Sequence, residues 1–301
     1  MSQLDGMQVF VRVAELGSFT RAADILGIPK NSASSAVQRL EASLGTRLLH
    51  RTTRKVQMTQ DGQAFYDRAR DLLADMEELQ SLFQQGSQSL RGRLRVDMPI
   101  GVARNFIIPR LPQFLQSHPH LELELSSTDR RVDLVREGFD CVLRVGSLGD
   151  TTLVARPLGR MRLINCASPA YLRAHGTPQT LDDLATHRLI HYATALGGKP
   201  LGFEYWNGSA CVSLPMQGAL TVNNSHSYEA ACLAGLGLIQ VPEVGVRHHL
   251  EHGVLVDVLP EYRAEPMPVS IVYAHRRNLP KRVQAFMTWM AETMKPHLQD
   301  S

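Results

Sequence analysis

The stretch that decides the fold is SFTRAADILGIPKNSASSAVQRLEASLG, residues 18–45, followed by TRLLHRTTRKVQMT, residues 46–59. Apolar residues at helical spacing predict one helix over 20–26 and another over 28–41. Gly27 stands between the two patterns and favours a turn. Two short helices joined in this way, with small polar side chains on the second, predict a helix that enters the DNA major groove.

The two helices have separate apolar and polar sides. We expect the apolar side chains to be buried: Ala22, Ala23, Ile25, Leu26, Ala33, Ala36, Val37 and Leu40. Candidate DNA-contacting side chains are Lys30, Asn31, Ser32, Ser34, Ser35, Gln38 and Arg39. Arg39 has a second interpretation as the partner of Glu41. Ser18 or Thr20 is a candidate N-cap for the first helix, and Asn31 or Ser32 for the second. The ordinary alternative for the polar side chains is a solvated helix surface.

Residues 46–59 lose the helical spacing and end in an alternating pattern, which predicts a short β-hairpin, or wing. Its candidate phosphate-binding residues are Arg51, Thr53, Arg54 and Lys55. The alternatives are ordinary surface charge and, for Arg51, hydrogen bonds to backbone carbonyls. Residues 1–62 contain 8 Lys/Arg against 5 Asp/Glu, although the whole chain has a net charge of only +3. The charge therefore indicates local contact with DNA rather than general coating of nucleic acid.

A long helix is predicted over 61–85. Its apolar residues recur every three or four positions: Phe65, Ala69, Leu72, Met76, Leu79 and Phe83. A helix with a single apolar stripe needs a partner, most simply the same helix of a second subunit. The alternative is that the helix packs on its own domain.

The rest of the chain follows an α/β pattern after a short hinge at 87–92. Strands are predicted at 94–98, 121–125, 141–145, 163–167, 219–223, 237–241 and 269–273. Helices are predicted at 102–116, 132–137, 169–174, 181–185, 226–235 and 280–295. Alternating strands and helices predict a parallel sheet. Two such lobes joined by crossing strands form a clamshell with a ligand cleft between them.

Candidate cleft residues lie at the ends of predicted strands and at one helix start. Backbone N–H groups around Pro99, Ile100 and Gly101 form a candidate anion site, as do those at Asn224 and Ser225. Thr128, Arg144 and Val145 end the second and third strands, where such clefts bind ligands. The alternative for each of these residues is an ordinary turn or core position.

Other kinds of function have little support in the sequence. No G-x-S-x-G, GxxxxGK[ST] or HExxH motif is present, so we expect neither an enzyme nor a bound cofactor. His248 and His252 have a metal-compatible spacing, but a solvated helix end explains them better, and no metal is expected. The four cysteines form no CxxC pair, and no secretory signal or long apolar segment appears. A cytoplasmic protein without a membrane partner is expected.

The chain resembles the LysR-type transcriptional regulators along most of its length. The N-terminal residues that carry the resemblance are Phe10, Gly17–Thr20, Ala22, Ala23, Leu26, Gly27, Val37, Arg39–Glu41, Leu44, Gly45, Leu48, Leu49, Arg51 and Thr52. The C-terminal ones are Pro99, Gly138–Asp140, Arg144–Gly146, Ala167–Tyr171 and Ala234–Gly237.

The resemblance implies an α/β chain with an N-terminal winged helix-turn-helix, a long linker helix and a two-lobed effector domain like that of periplasmic binding proteins. The expected limits are 1–62 for the DNA-binding domain, 63–90 for the linker and hinge, and 91–301 for the effector domain. Lobe I would comprise 91–162 and 268–301, and lobe II 163–267.

The expected partners are double-stranded promoter or operator DNA, a small organic and often acidic co-inducer, and a second copy of the chain bound through the linker helix. The resemblance also implies a tetramer, and RNA polymerase is a further candidate partner. Two alternatives remain open. One is a redox-responsive regulator of the same fold that uses Cys141, Cys166 or Cys232, and the other is a two-lobed small-molecule-binding protein without DNA function.

Overall fold

The computed structural model describes residues 3–51, 56–81, 90–148, 152–198, 201–274 and 279–299, apart from the side chains of residues 3, 51, 74, 75 and 77–81. The chain divides into two compact units: Met1–Arg93 with His120–Glu122, and Leu94–Pro119 with Leu123–Ser301. None of the described helices is long and apolar enough to cross a lipid bilayer.

The first unit contains a three-helix group, a hairpin and a long helix. Its elements are α1 Gln3–Leu16, α2 Phe19–Leu26, α3 Lys30–Leu44, β1 Leu49–Arg51, β2 Val56–Met58 and α4 Gln60–Ser81. Ser18 accepts the Arg21 N–H and begins α2, while Gly27, with φ of 65°, ends it. Strands β1 and β2 pair antiparallel. The helix–turn–helix, the Ser18 cap and the wing are therefore confirmed.

The start of α3 differs from its prediction. The helix begins at Lys30 with Pro29 at the N-cap position, and no side chain caps it. The prediction of an Asn31 or Ser32 cap was wrong, because the ring of Pro29 already fixes a φ of −60° that leads into the helix. Asn31 and Ser32 lie instead in the first helical turn.

The core of the first unit forms where α1, α2 and α3 meet. Phe10 and Val13 of α1 are fully buried against Ala22, Ala33 and Val37 of the other two helices. Seven of the eight predicted core residues of α2 and α3 lie in or against this core. Ile25 is the exception at 63% exposed, so its predicted burial was wrong. Ile25 lies outside the side of α2 on which Ala22, Ala23 and Leu26 face the core.

Helix α4 packs partly on its own unit. The ring of Phe65 meets that of Phe10 edge-on at a centroid distance of 5.5 Å, and Ala69 is 3% exposed. The Tyr66 hydroxyl donates to Glu15 of α1 at 3.3 Å. The alternative prediction, that the long helix packs on its own domain, therefore holds for the first half of its apolar stripe, because α1 covers that half. Leu72 remains 48% exposed. Phe83 and residues 82–85 lie outside the described residues.

The second unit has two lobes, and the first is built on a five-stranded sheet in the order β4-β3-β5-β14-β6. Its elements, with those of the second lobe numbered between, are β3 Arg91–Met98, α5 Ile100–Val102, α6 Leu111–Ser117, β4 His120–Ser127, α7 Leu134–Glu137, β5 Cys141–Val145, β6 Val154–Met161, β14 Met267–Tyr273 and α11 Lys281–Met294. Strand β5 is parallel to β3, but β14 is antiparallel to both β5 and β6. The sheet is mixed, so the prediction of a parallel sheet was wrong.

The second lobe is built around a three-stranded sheet in the order β12-β7-β13. Its elements are β7 Leu163–Ala167, α8 Pro169–His175, β8 His191–Tyr192, β9 Phe203–Trp206, β10 Cys211–Leu214, β11 Thr221–Val222, α9 Ser225–Leu233, β12 Ile239–Pro242, α10 Glu243–Glu251 and β13 Val256–Asp257. The short strand β8, the hairpin β9–β10 and strand β13 were absent from the predictions, as was β6 in the first lobe. The helix end expected at His248 and His252 is the end of α10.

Candidate functional site

The polar side of α3 is the first part of the candidate site. Five of its predicted DNA-contacting residues are exposed: Lys30, Asn31, Ser35, Gln38 and Arg39. Ser32 and Ser34 are half-buried. Ala33, Ala36, Val37 and Leu40 are buried on the opposite side. Packing of that apolar side therefore fixes which side chains α3 presents outward.

Glu41 holds the wing against the end of α3. One of its carboxylate oxygens, Oε1, accepts the N–H of Leu48 at 2.9 Å and the N–H of Leu49 at 3.1 Å. Bonds to a charged acceptor are stronger than neutral ones, so this side chain sets where β1 begins. No local sequence pattern indicates this contact, because the two amides lie seven and eight residues further along the chain.

A second junction fixes the wing to α4. The Thr59 N–H donates to the Leu48 carbonyl at 3.0 Å, and the Thr59 hydroxyl donates to the Arg47 carbonyl at 2.7 Å. The same hydroxyl accepts the Gly62 N–H at 2.9 Å, which is the bond that an N-cap makes. Helix α3, the wing and α4 therefore form one connected support.

Of the predicted phosphate-contacting residues of the wing, only the backbone of Arg51 belongs to the described part of the chain. The backbone of Arg51 pairs with Val56 in the hairpin. The side chain of Arg51 and all of Thr53, Arg54 and Lys55 lie outside the described residues. Their contact with DNA stays a prediction.

A cleft of about 1080 Å³ lies between the two lobes of the second unit. Seven of the eight predicted effector-binding residues line it: Pro99, Ile100, Gly101, Thr128, Arg144, Val145 and Ser225. The eighth, Asn224, caps α9 by accepting the Ser227 N–H at 2.8 Å. The carboxyl ends of the strands and the start of α9 thus meet where the sequence predicted a cleft.

Two of the backbone amides predicted to hold an anion already have an acceptor. Pro99 has no N–H and supplies no donor. The Ile100 N–H donates to Oδ1 of Asp129 at 3.0 Å, and the Ser225 N–H donates to Oδ2 at 2.5 Å. The Asp129 carboxylate therefore occupies the position where the sequence predicted a bound anion. Asp129 was not among the predicted cleft residues, although it directly follows the predicted Thr128.

A buried ion pair stands behind the cleft wall. Asp97 is fully buried and accepts hydrogen bonds from Nη1 of Arg144 at 2.9 Å and from the Thr128 hydroxyl at 3.0 Å. A buried carboxylate needs such partners to offset its desolvation. Nη2 of Arg144 and Oγ of Ser225 are buried without a hydrogen-bond partner among the described residues. Both residues line the cleft, and each has a buried polar atom without a partner among the described residues.

Two further polar contacts cross the cleft and were not predicted. Nη1 of Arg104 lies 3.1 Å from Nδ1 of His226, and Nδ2 of Asn105 donates to the Gly245 carbonyl at 3.5 Å. Arg104 and Asn105 belong to the helical segment that follows β3, whereas the two partners belong to the second lobe. The two lobes are thus joined by polar side chains at the cleft.

Metal-ligating groups converge in one place among the described residues. Ligand atoms of Glu229, His248 and His249 lie within 4.8 Å of one another, and no ion is present. Nε2 of His249 lies 2.9 Å from Glu229, so an ion pair or hydrogen bond already accounts for those two groups. His252 lies 2.7 Å from the His248 carbonyl at the end of α10 instead of joining the cluster.

Two protein-family models match this chain, one in each part of it. Residues 4–63 match the model of the bacterial regulatory helix-turn-helix protein, lysR family, and residues 87–295 match the LysR substrate binding domain. The chain belongs to the LysR family of transcriptional regulators. The family resemblance is confirmed, and the alternative of a small-molecule-binding protein without DNA function is rejected.

Similar LysR-type proteins cover nearly the whole chain. The HTH-type transcriptional regulator YhjC of Escherichia coli (strain K12) is 50% identical over 298 residues, which are 99% of this chain and 100% of YhjC. An HTH-type transcriptional repressor of Pseudomonas aeruginosa is 37% identical over 292 residues, 97% of this chain and 92% of the repressor. The solved structure of CrgA, a LysR-type regulator from Neisseria meningitidis, is 29% identical with a TM-score of 0.60, and the match covers 96% of this chain and 97% of CrgA. This LysR-type protein is therefore a transcriptional regulator with a DNA-binding and an effector-binding domain.

Proposed function

We propose that the protein binds a two-fold-related operator as a dimer and that a small organic anion in the cleft controls this binding. The observation that carries the DNA part is the outward polar side of α3, which is fixed by burial of Ala33, Ala36, Val37 and Leu40. A helix with this exposure and small side chains fits the major groove. Gln38 and Asn31 have amide groups that form paired bonds with adenine, and the serines allow close approach.

The wing residues supply the backbone contacts in this proposal. Arg51, Arg54 and Lys55 neutralise phosphates and Thr53 donates to one, because the basic wing directly follows the base-reading helix. Lys30, Arg39 and the serines of α3 share the remaining contacts at the groove edge. The DNA-binding function is assigned to residues 1–62, the linker to 63–90 and the effector response to 91–301.

The DNA proposal is tested with operator fragments selected by the full-length protein from a random library. Gln38→Ala should lose about 1–3 kcal/mol of discrimination at one base-pair position, whereas Arg54→Ala should weaken binding to all sequences alike. The second variant should also flatten the log–log salt dependence by about one unit. Ser43→Ala is the control, because the Ser43 hydroxyl bonds the Leu40 carbonyl near the end of α3. Equal weakening on every sequence by Gln38→Ala would reject its base-reading role.

In the same proposal, the dimer forms through α4. The half of α4 beyond Ala69 keeps Leu72 exposed, and a second α4 is the simplest cover for it. Two α3 helices then reach successive major grooves, which requires half-sites about one helical turn apart. Further contacts between effector domains would give a tetramer, and RNA polymerase is the proposed partner at the promoter.

The effector proposal rests on unsatisfied donors in the cleft. Nη2 of Arg144 and Oγ of Ser225 have no partner among the described residues, and both suit a carboxylate oxygen. A panel of small organic acids, screened by thermal shift, should contain members that raise the melting temperature. Ser225→Ala should reduce that shift and leave the ligand-free melting temperature unchanged, because its hydroxyl bonds no described residue. If Ser225→Ala shows the full shift, Ser225 is not a ligand contact.

The redox alternative receives no support from the cysteines that it would use. Cys141, Cys166 and Cys232 are buried. Burial raises the pKa of the Cys141 thiol, and the hydrogen bond with Cys232, followed by burial, raises the pKa of the Cys166 thiol. The reactive thiolate is therefore disfavoured at both positions. Control by a ligand in the cleft is the better-supported mechanism.

A further inference from the structure

Asp129 joins the two lobes through its side chain. It follows β4 in the first lobe, where its Oδ1 accepts the Ile100 N–H at 3.0 Å. Its Oδ2 accepts the Ser225 N–H at 2.5 Å, and Ser225 begins α9 in the second lobe. One carboxylate group therefore spans the cleft and uses both of its oxygens on backbone amides from opposite sides.

The surroundings of Asp129 are those of a bound anion. The N-terminus of α9 has a positive partial charge that favours a negative group. The Tyr192 hydroxyl of β8 lies near enough to Asp129 for the carboxylate charge to act on it. Burial and then the Asp129 charge raise the pKa of Tyr192, so this phenol stays protonated. Convergent backbone amides of this kind also hold the carboxylate of a small ligand.

The site has more donors than Asp129 uses. Oγ of Ser225 and Nη2 of Arg144 remain unsatisfied although both atoms are buried. Asp97 accounts for only the Nη1 side of Arg144. A ligand that has a carboxylate and additional polar atoms is therefore able to make bonds here that Asp129 alone does not make.

We propose that Asp129 is an internal competitor of the effector, a tethered carboxylate that occupies the anion site and holds the lobes together until a ligand displaces it. This inference rests on the proposed function of the cleft. Every ligand must first displace Asp129. Its apparent affinity is therefore its intrinsic affinity multiplied by the fraction of molecules in which the site is open. Simple carboxylates are consequently rejected, and only a ligand that also satisfies Arg144 or Ser225 competes. Asp129 thus determines specificity as well as the resting state.

Chemical rescue tests the proposal directly in full-length, tag-free protein. Asp129→Ala leaves the Ile100 and Ser225 amides without their acceptor, so the melting temperature should fall. Sodium acetate at constant ionic strength should restore it with saturation, because acetate replaces the missing carboxylate. The apparent affinity for acetate should be at least about tenfold higher in Asp129→Ala than in the wild type. Asp129→Asn keeps an acceptor oxygen and carries the test if the alanine variant does not fold.

Asp183 provides a matched control. Its carboxylate also accepts two backbone amides, from Gln179 at 2.9 Å and Thr180 at 2.8 Å, but Asp183 lies in an exposed 3₁₀ turn, Asp182–Thr186, of the second lobe. Asp183→Ala should lose stability without recovery in acetate, because no cleft orients a free anion there. This control also accounts for general effects of acetate on stability.

The outcomes separate this inference from the function on which it rests. Rescue of the Asp129 variants alone supports the competitor role. Equal acetate affinity in the wild type and the variants overturns that role but leaves the cleft as an anion site. If neither protein binds acetate, both the competitor role and the anion site are rejected.

Discussion

Gly62 lies where α4 leaves the wing, and it has no room for a side chain. A Cβ at this position would lie 1.9 Å from the Leu48 carbonyl oxygen and 2.8 Å from the carbonyl carbon. Because the obstacle is backbone, either α4 or β1 must move. We expect Gly62→Ala to lower the free energy of unfolding of the N-terminal domain by at least about 1–3 kcal/mol. Urea denaturation followed by circular dichroism measures the loss.

Gly6 is the control for this prediction, since it lies in α1 of the same unit. Its Cβ would meet Ala36 and Leu40 atoms at an ordinary distance of 3.6 Å. Gly6→Ala should therefore stabilise the domain, by up to about 1 kcal/mol, through the higher helix propensity of alanine. If both variants lose stability equally, the close approach at Gly62 is not the cause.

Glu41 gives a second prediction at the level of single residues. Glu41→Ala removes the acceptor of the Leu48 and Leu49 amides, whose residues are 1% and 3% exposed. Loss of a buried partner costs about 1–3 kcal/mol, and the displaced wing should also weaken operator binding. Glu41→Gln keeps an acceptor oxygen and should recover most of both properties. Denaturation and a DNA titration of the two variants check this, and equal defects would indicate that the charge alone matters.

Residue spacing predicted burial well but not long-range polar contacts. Ala33, Ala36, Val37 and Leu40 recur at helical spacing and are all buried, because one side of a helix is a local property. The partners of Asp129 lie 29 and 96 residues away, and no local pattern records such a distance. The occupied anion site therefore became visible only in the fold.

At the level of elements, α4 combines two functions along one helix. Phe65 and Ala69 pack against the core of their own unit, whereas Leu72 lies 48% exposed on the next turns. The inner part of the helix is thus fixed to the DNA-binding domain, and the outer part is available to a second subunit.

A charged residue at Leu72 tests the dimer. Leu72→Glu should raise the dimer dissociation constant by at least about tenfold, because it buries an unpaired charge in an apolar interface. Stability of the monomer should change little, since the side chain is already half in water. Sedimentation equilibrium measures the constant. Ile25→Glu, at 63% exposure in the same unit, is the control and should leave the dimer intact. An unchanged dimer in Leu72→Glu would place the interface elsewhere.

Element types were predictable from the sequence, but strand direction was not. The run 102–116 was predicted as one helix, whereas the structure has a π-helical turn at Ala103–Ile107, a 3₁₀ turn at Ile108–Arg110 and then α6. Pro109 and Pro112 lack the N–H groups that a continuous helix requires. The direction of β14 depends on its return from the second lobe to the first sheet, which is a property of the whole chain path.

At the scale of the whole molecule, the second unit buries histidines within its second lobe. His187 is 4% exposed and His191 is 7% exposed. Burial lowers the pKa of both imidazoles, and for His187 the neighbouring His175 adds to the effect. Both imidazoles are neutral in the folded protein near pH 7, because a protonated imidazole at either buried position would lose its contact with water. Protonation therefore favours unfolding of this unit.

The consequence is a defined dependence of stability on pH. As the pH falls below about 6.5, the unfolded chain takes up protons that the folded unit still refuses, so the free energy of unfolding decreases. The decrease ends only when the pH passes the lowered pKa of the folded state. Melting curves of the ligand-free protein between neutral and mildly acidic pH measure this slope. His191→Gln should reduce the slope, because one of the titrating groups is gone. A slope unaffected by His191→Gln would assign the acid sensitivity to other groups.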